Sequence, residues 1–231
     1  MSKNNTKQIP ASAFTFLKNI RKNNNREWFT KHKNEYIKEQ EHIHDFAESL
    51  LFELNKHDII ETPSGKKACY RIYRDVRFST DKTPYCTYFS GSFRRATKFR
   101  RGGLYFHIEP NNTWVAGGFW SPNAEDLKRI RDDIAFDAAP LRKIIKNKVF
   151  VNTFGSLQGE QLKTSPRDFD ANHEAIDLLR YKQFLLIKRF EDKEVLSDTF
   201  VKKVNQTFIA MRPFLDYMSE VLTTDINGQE I

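Results

Sequence analysis

Residues 104–120, LYFHIEPNNTWVAGGFW, decide the fold. Leu104, Phe106 and Ile108 alternate with Tyr105, His107 and Glu109, the two-residue period of a strand with one buried face. A second run, Thr113 to Trp120, follows Pro110-Asn111-Asn112, three residues that favour a turn. Together they read as a β-hairpin. Gly117-Gly118 marks a bulge or a place where a backbone or ligand comes close.

On either side of the hairpin the pattern is mostly helical. Ser12 is placed to cap a short helix carrying Phe14, Leu17 and Ile20, and the run Asn23-Asn24-Asn25 interrupts it. Phe29, Tyr36, Ile43 and Leu50 then repeat every seven residues, with Ala47 and Leu54 widening the stripe, which predicts one long helix from Arg26 to about Lys56. Thr62-Pro63-Ser64-Gly65 is a loop, after which Tyr70 to Phe78 alternates like a strand. Beyond the hairpin, Ser121-Pro122 and Asp137 each open a helix, and Val149 to Thr153 reads as a short strand. Gly155 to Asn172 reads as mostly loop, His173 to Arg180 as a short helix, and Tyr181 to Phe190 as a strand. A final helix capped by Ser197 carries Phe200, Val204, Phe208, Met211 and Leu215, with a kink expected at Pro213. Hairpin strands in mid-chain with helices before and after predict an α+β fold, an antiparallel sheet packed by flanking helices. With no Gly/Ser linker and no repeat, one domain over 12–225 is expected, with polar tails at 1–11 and 226–231.

The bulk composition excludes several classes. No uncharged apolar run approaches the roughly 18 residues of a membrane helix, and the polar start lacks the apolar region of a secretory signal. The expectation is a cytoplasmic protein with no membrane partner. Cys69 and Cys86, 17 residues apart, read as reduced thiols. The formal net charge of +8 is concentrated in one place. From Lys66 to Arg101 there are 11 Lys and Arg against two acids, a net of +9; the other 195 residues net −1. Such a segment attracts anions.

The densest chemistry lies within it, from Arg71 to Tyr85. On the expected strand Arg74 falls on the apolar face, where a guanidinium needs a carboxylate or a ligand anion. Arg71, Tyr73 and Arg77 share the other face with Asp75, and Lys82-Thr83-Pro84 forms the following turn. This predicts a phosphate or carboxylate site built from Arg71, Arg74, Arg77 and Lys82, with Tyr73 and Tyr85 flanking an attached ring. A purely structural use, a strand tied down by Arg–Asp pairs, fits the same residues. Candidate acid/base groups are Asp75, Asp81, His107 and Glu109; whether the protein is an enzyme is left open. The basic stretch Arg94 to Arg101 makes nucleic acid an alternative partner, and a partner-binding role without ligand a third. Asp168, Asp170, His173 and Glu174 lie close together but without metal-ligand spacing, and no cofactor motif is present, so neither metal nor cofactor is expected.

Several of these segments resemble an uncharacterised protein family, domain of unknown function 2461. The resemblance is carried by Asn24 to Phe29, by Arg74 to Tyr85, by Leu104 to Pro110 with Gly117-Gly118, and by Leu178 to Lys182, and spans about residues 12–225. It implies a single intracellular domain and supplies no reaction. Cys86 stands where the family usually has Lys, removing one positive group from the expected anion site; Asp168 and Glu174 stand where Gly and Pro are usual.

Overall fold

The computed structural model describes residues 8–95, 99–224 and 229. The expected tails fall largely outside these residues, although Ile9 is fully buried and the first helix opens at Ala11. In chain order the elements are α1 (Ala11–Lys22), α2 (Arg26–Lys31), α3 (Lys33–Leu54), α4 (Gly65–Ala68), β1 (Phe89–Arg94), β2 (Gly103–Ile108), β3 (Thr113–Phe119), α5 (Ala124–Phe136), α6 (Ala139–Ile145), α7 (Lys148–Phe154), α8 (Ile176–Leu179), β4 (Phe184–Phe190), α9 (Asp192–Val195) and α10 (Phe200–Thr223). The strands form one antiparallel open sheet in the order β1-β2-β3-β4, packed by helices. The fold is thus the expected single α+β domain.

By their contacts the residues group into two compact units, whose boundary crosses β1, β2, β3, β4 and α10. In the unit holding α1–α4 and most of β1 and β2, the core is aromatic. Phe46 meets Phe106 edge-on at 5.5 Å and stacks on Phe200, while Phe93 and Phe16 pack on Phe106 and Phe89. Burying each such ring stabilises by about 1.5–3 kcal/mol, and ring pairing adds about 0.5–1.5. Gly65 opens α4 against the backbone of α3 at Glu48, too close for any Cβ. In the other unit, α5 packs against α8, and Arg131 on α5 donates to the carbonyls of Leu179 and Tyr181. Gly118 has φ of +133° and lies against the Phe184 carbonyl of β4. The close approach expected at Gly117-Gly118 is therefore made by the protein's own next strand, with Met211 Sδ against Gly117.

Several boundaries differ from expectation. The long helix is two, α2 and α3, parted at His32 (φ −108°, ψ 16°), whose ring stacks 4.0 Å from Trp28 and whose Nδ1 lies 2.8 Å from the Trp28 carbonyl. A side chain occupying that carbonyl competes with the helix ladder. Val149 to Thr153 is helical, not a strand: Asn147 caps it by accepting the Val149 N–H, and Phe150 meets Phe154 four residues on. Tyr70 to Phe78 is not a strand either. It makes one isolated bridge, Tyr73 with Tyr85, with another just before it at Cys69 and Gly91, and local side-chain bonds such as Arg77 N–H to Asp75 take the place of a ladder. The helix starts also shift. α1 begins after Pro10, with Ser12 bonded to Glu39 instead; α5 is capped by Asn123; α10 starts three residues beyond Ser197. β1 was not foreseen, because Ser90-Gly91-Ser92 has low strand preference and Gly91 is pressed under Phe106.

Candidate functional site

The segment Arg71 to Tyr85 is a surface loop closed at its base. Arg74 N–H bonds to Pro84 O at 2.9 Å and Cys86 N–H to Ile72 O at 2.7 Å. Asn24, at the α1–α2 junction, anchors it by donating to Tyr85 O and accepting from Tyr85 N–H. With no strand there is no apolar face, and Arg74 is not buried: its side chain is 27% exposed and pairs with Asp81 at 2.6 Å while also donating to Thr83 O. Asp81 accepts from Thr83 N–H and from Arg74, which together hold its carboxyl down to about 2. Arg77 clasps Asp75 through Nε and Nη2, which lowers that carboxyl. Lys82 bonds to Val76 O at 2.9 Å, and Arg71 has no ion-pair partner among the described residues. Tyr85 is buried and stacks 4.0 Å from Phe29, with Tyr73 against both. At the loop tip Phe78 is 97% exposed.

His107 and Glu109 are brought together at the end of β2, with Nε2 and Oε2 3.0 Å apart. Glu109 also accepts from Arg21 and from Asn112 Nδ2 at 2.6 Å. Burial pushes its carboxyl up, but the bonds from His107 and Asn112 and the Arg21 charge outweigh this and hold it below the ordinary range. Burial lowers the His107 imidazole, against the pull of Glu109. Asp75 and Asp81 make no hydrogen bond or ion pair with this couple.

Around His107 lies a set of rings that the sequence reading only half captured. The Tyr88 ring is 4.2 Å from it, and Trp114 stacks on it at 5.1 Å and 15°. Tyr105 lies 4.9 Å from Trp114 and 6.4 Å from Tyr70, whose hydroxyl is 2.7 Å from Ser92 Oγ. Tyr105, His107 and Trp114 lie on the face of β2–β3 opposite Phe106 and Ile108, as period-2 alternation requires, with Ser90 and Ser92 of β1 in the same phase; Tyr88 just before β1 and Tyr70 after α4 join them through ring contacts. Burial raises the phenols of Tyr88, up to about 12, and Tyr105, so both stay neutral hydrogen-bond donors. Two guanidiniums border the face. The Arg74 charge reaches Cys86 and Tyr88. Arg189 donates to Asn112 Oδ1 at 2.7 Å, and its charge reaches His107. Tyr88, Trp114 and Arg189 were missed because they sit outside the Arg71–Tyr85 segment; the alternation of Tyr88, Ser90 and Ser92 was the available signal.

The remaining candidates are placed elsewhere. Arg95 is buried, donating to Asp216, Ser219 Oγ and Arg101 O, and Arg101 pairs with Asp126. Ala96 to Lys98 of the basic 94–101 loop lie outside the described residues. Asp168, Asp170, His173 and Glu174 form no metal-binding group, and none exists among the described residues. No helix among them is long and apolar enough to cross a membrane.

The chain is therefore an α+β protein with an aromatic and polar sheet face beside an arginine-braced loop. It belongs to the family described as conserved hypothetical protein, DUF2461, whose model matches residues 12–217. No curated protein and no solved structure matches it.

Proposed function

We propose that this protein binds a small anionic ligand carrying a ring, on the sheet face formed by Tyr70, Tyr88, Tyr105, His107 and Trp114. The observation that carries this is the contiguity of those rings, each 4.2–6.4 Å from the next. Aromatic faces that reach solvent are stacking platforms, and stacking one ring contributes about 1–3 kcal/mol. Charge is supplied at the borders. Among the described residues Arg189 bonds to a neutral amide and has no carboxylate partner, and in the neighbouring loop neither Arg71 nor Lys82 is paired with a described carboxylate. Arg74 and Arg77 share theirs with Asp81 and Asp75, so their part is to shape the loop as well as to add to its field. In this reading Tyr73 and Tyr85 brace the loop and the rings that receive the ligand are those on the sheet.

A nucleic acid held through the basic 66–101 segment has less support, because Arg95 and Arg101 are engaged inside the fold. Calorimetric titration with nucleoside monophosphates and with matched single-stranded oligonucleotides separates the two. The reading expects saturable binding of the monomers with a shallow salt dependence. Binding confined to oligonucleotides and falling steeply with salt would favour the alternative.

A further inference from the structure

Glu109 determines what His107 can offer the face. Its carboxylate accepts from Arg21 and Asn112 as well as meeting His107 Nε2, and an ionised carboxylate only accepts. Nε2 therefore carries the ring hydrogen, and in the neutral imidazole Nδ1 is an acceptor. The partner given to Nδ1 is Tyr105 Oη at 3.5 Å, the outer limit of a hydrogen bond. The Ser90 hydroxyl also interacts with the Tyr105 hydroxyl, and each can donate or accept. The Tyr105 hydroxyl can turn to give its hydrogen, the Nδ1 lone pair is loosely used, and both lie among the stacked rings of Tyr88 and Trp114.

A hydroxyl group has the complement of this arrangement, giving one hydrogen and accepting another. Two atoms 3.5 Å apart leave room for an oxygen about 2.8 Å from each. A purely aromatic ligand has nothing to place there. We infer that His107 Nδ1 and Tyr105 Oη form the subsite for a ligand hydroxyl, so that the ligand is a sugar ring bearing a phosphate, free or within a nucleotide. This rests on the ring-binding reading above and narrows it.

The test is calorimetric titration of the full chain with ribose 5-phosphate, adenosine monophosphate and phenyl phosphate, repeated on Tyr105→Phe and His107→Gln. Tyr105→Phe keeps the ring and removes only the hydroxyl, so folding is preserved even where His107→Gln fails. The two sugar phosphates are expected to bind about tenfold or more tighter than phenyl phosphate, and Tyr105→Phe to erase most of that advantage while leaving phenyl phosphate unchanged. A tighter adenosine monophosphate identifies the nucleotide as the source; equal affinities identify the sugar phosphate. Phenyl phosphate binding as tightly as the sugars, or Tyr105→Phe weakening all three alike, overturns the hydroxyl subsite and leaves the ring-binding reading intact. Absence of binding by all three overturns both.

Discussion

Glu109 and His107, two positions apart at the end of β2, share a 3.0 Å hydrogen bond and are both buried. Their titration should be visible in stability. The imidazole is held below its ordinary 6.5 chiefly by burial. Below that value the unfolded chain takes up a proton that the folded one refuses. The contribution of His107 is therefore whole above pH 6.5 and is lost as pH falls through the lowered folded value. Glu109, also lowered, acts in the same sense further into acid. Urea midpoints should drop as pH falls below about 6.5, and His107→Gln should flatten that slope. An unchanged slope in the variant would remove this assignment.

The Asp81 carboxyl, held down to about 2 by Thr83 N–H and Arg74, is the clasp of the exposed loop. Its contribution is present above the unfolded value and lost only as pH falls through about 2. Asp81→Asn should speed amide exchange across residues 74–85 at neutral pH and leave the global unfolding midpoint nearly unmoved. Unaltered exchange would show that Arg74 braces the loop without Asp81.

Arg95 and Arg71 belong to one basic segment and should behave oppositely. Arg95→Ala removes a buried guanidinium that bonds to Asp216, Ser219 and Arg101, and should cost about 2–4 kcal/mol in chemical unfolding. Arg71→Ala, at an exposed position, should stay within about 0.5 kcal/mol and instead weaken anion binding. Equal stability losses would mean that the segment is structural throughout.

Gly118 and Gly155 both have positive φ, but only Gly118 faces a neighbouring backbone, the Phe184 carbonyl; a Cβ on Gly155 meets open space. Gly155→Ala should cost about 1–2 kcal/mol from conformation alone. Gly118→Ala adds a clash with β4 and should cost clearly more, read from midpoints in urea. Matching losses would show that β4 yields freely.

Much of the architecture was legible. The alternation of Leu104 to Glu109 and the turn at Pro110-Asn111-Asn112 predict β2 and β3, and seven-residue spacing predicts the α2–α3 stripe. What misled were segments where side chains bind backbone. Asp75 and Asp81 turn an alternating run into a loop, and at His32, whose ring bonds the Trp28 carbonyl, one helix becomes two. In the candidate site, His107, Glu109 and Tyr105 were visible as one face of one strand. Tyr88 and Trp114 join them only through pairing of β1 and β3 with β2, which the pattern of a single strand does not contain.

The most direct test of the ring-binding face is titration of adenosine monophosphate into the wild-type chain and into Trp114→Ala, with circular dichroism confirming that both are folded. The account predicts saturable binding to the wild type, weakened by about tenfold or more in the variant. Equal affinities, or no binding by the folded wild type, would contradict it.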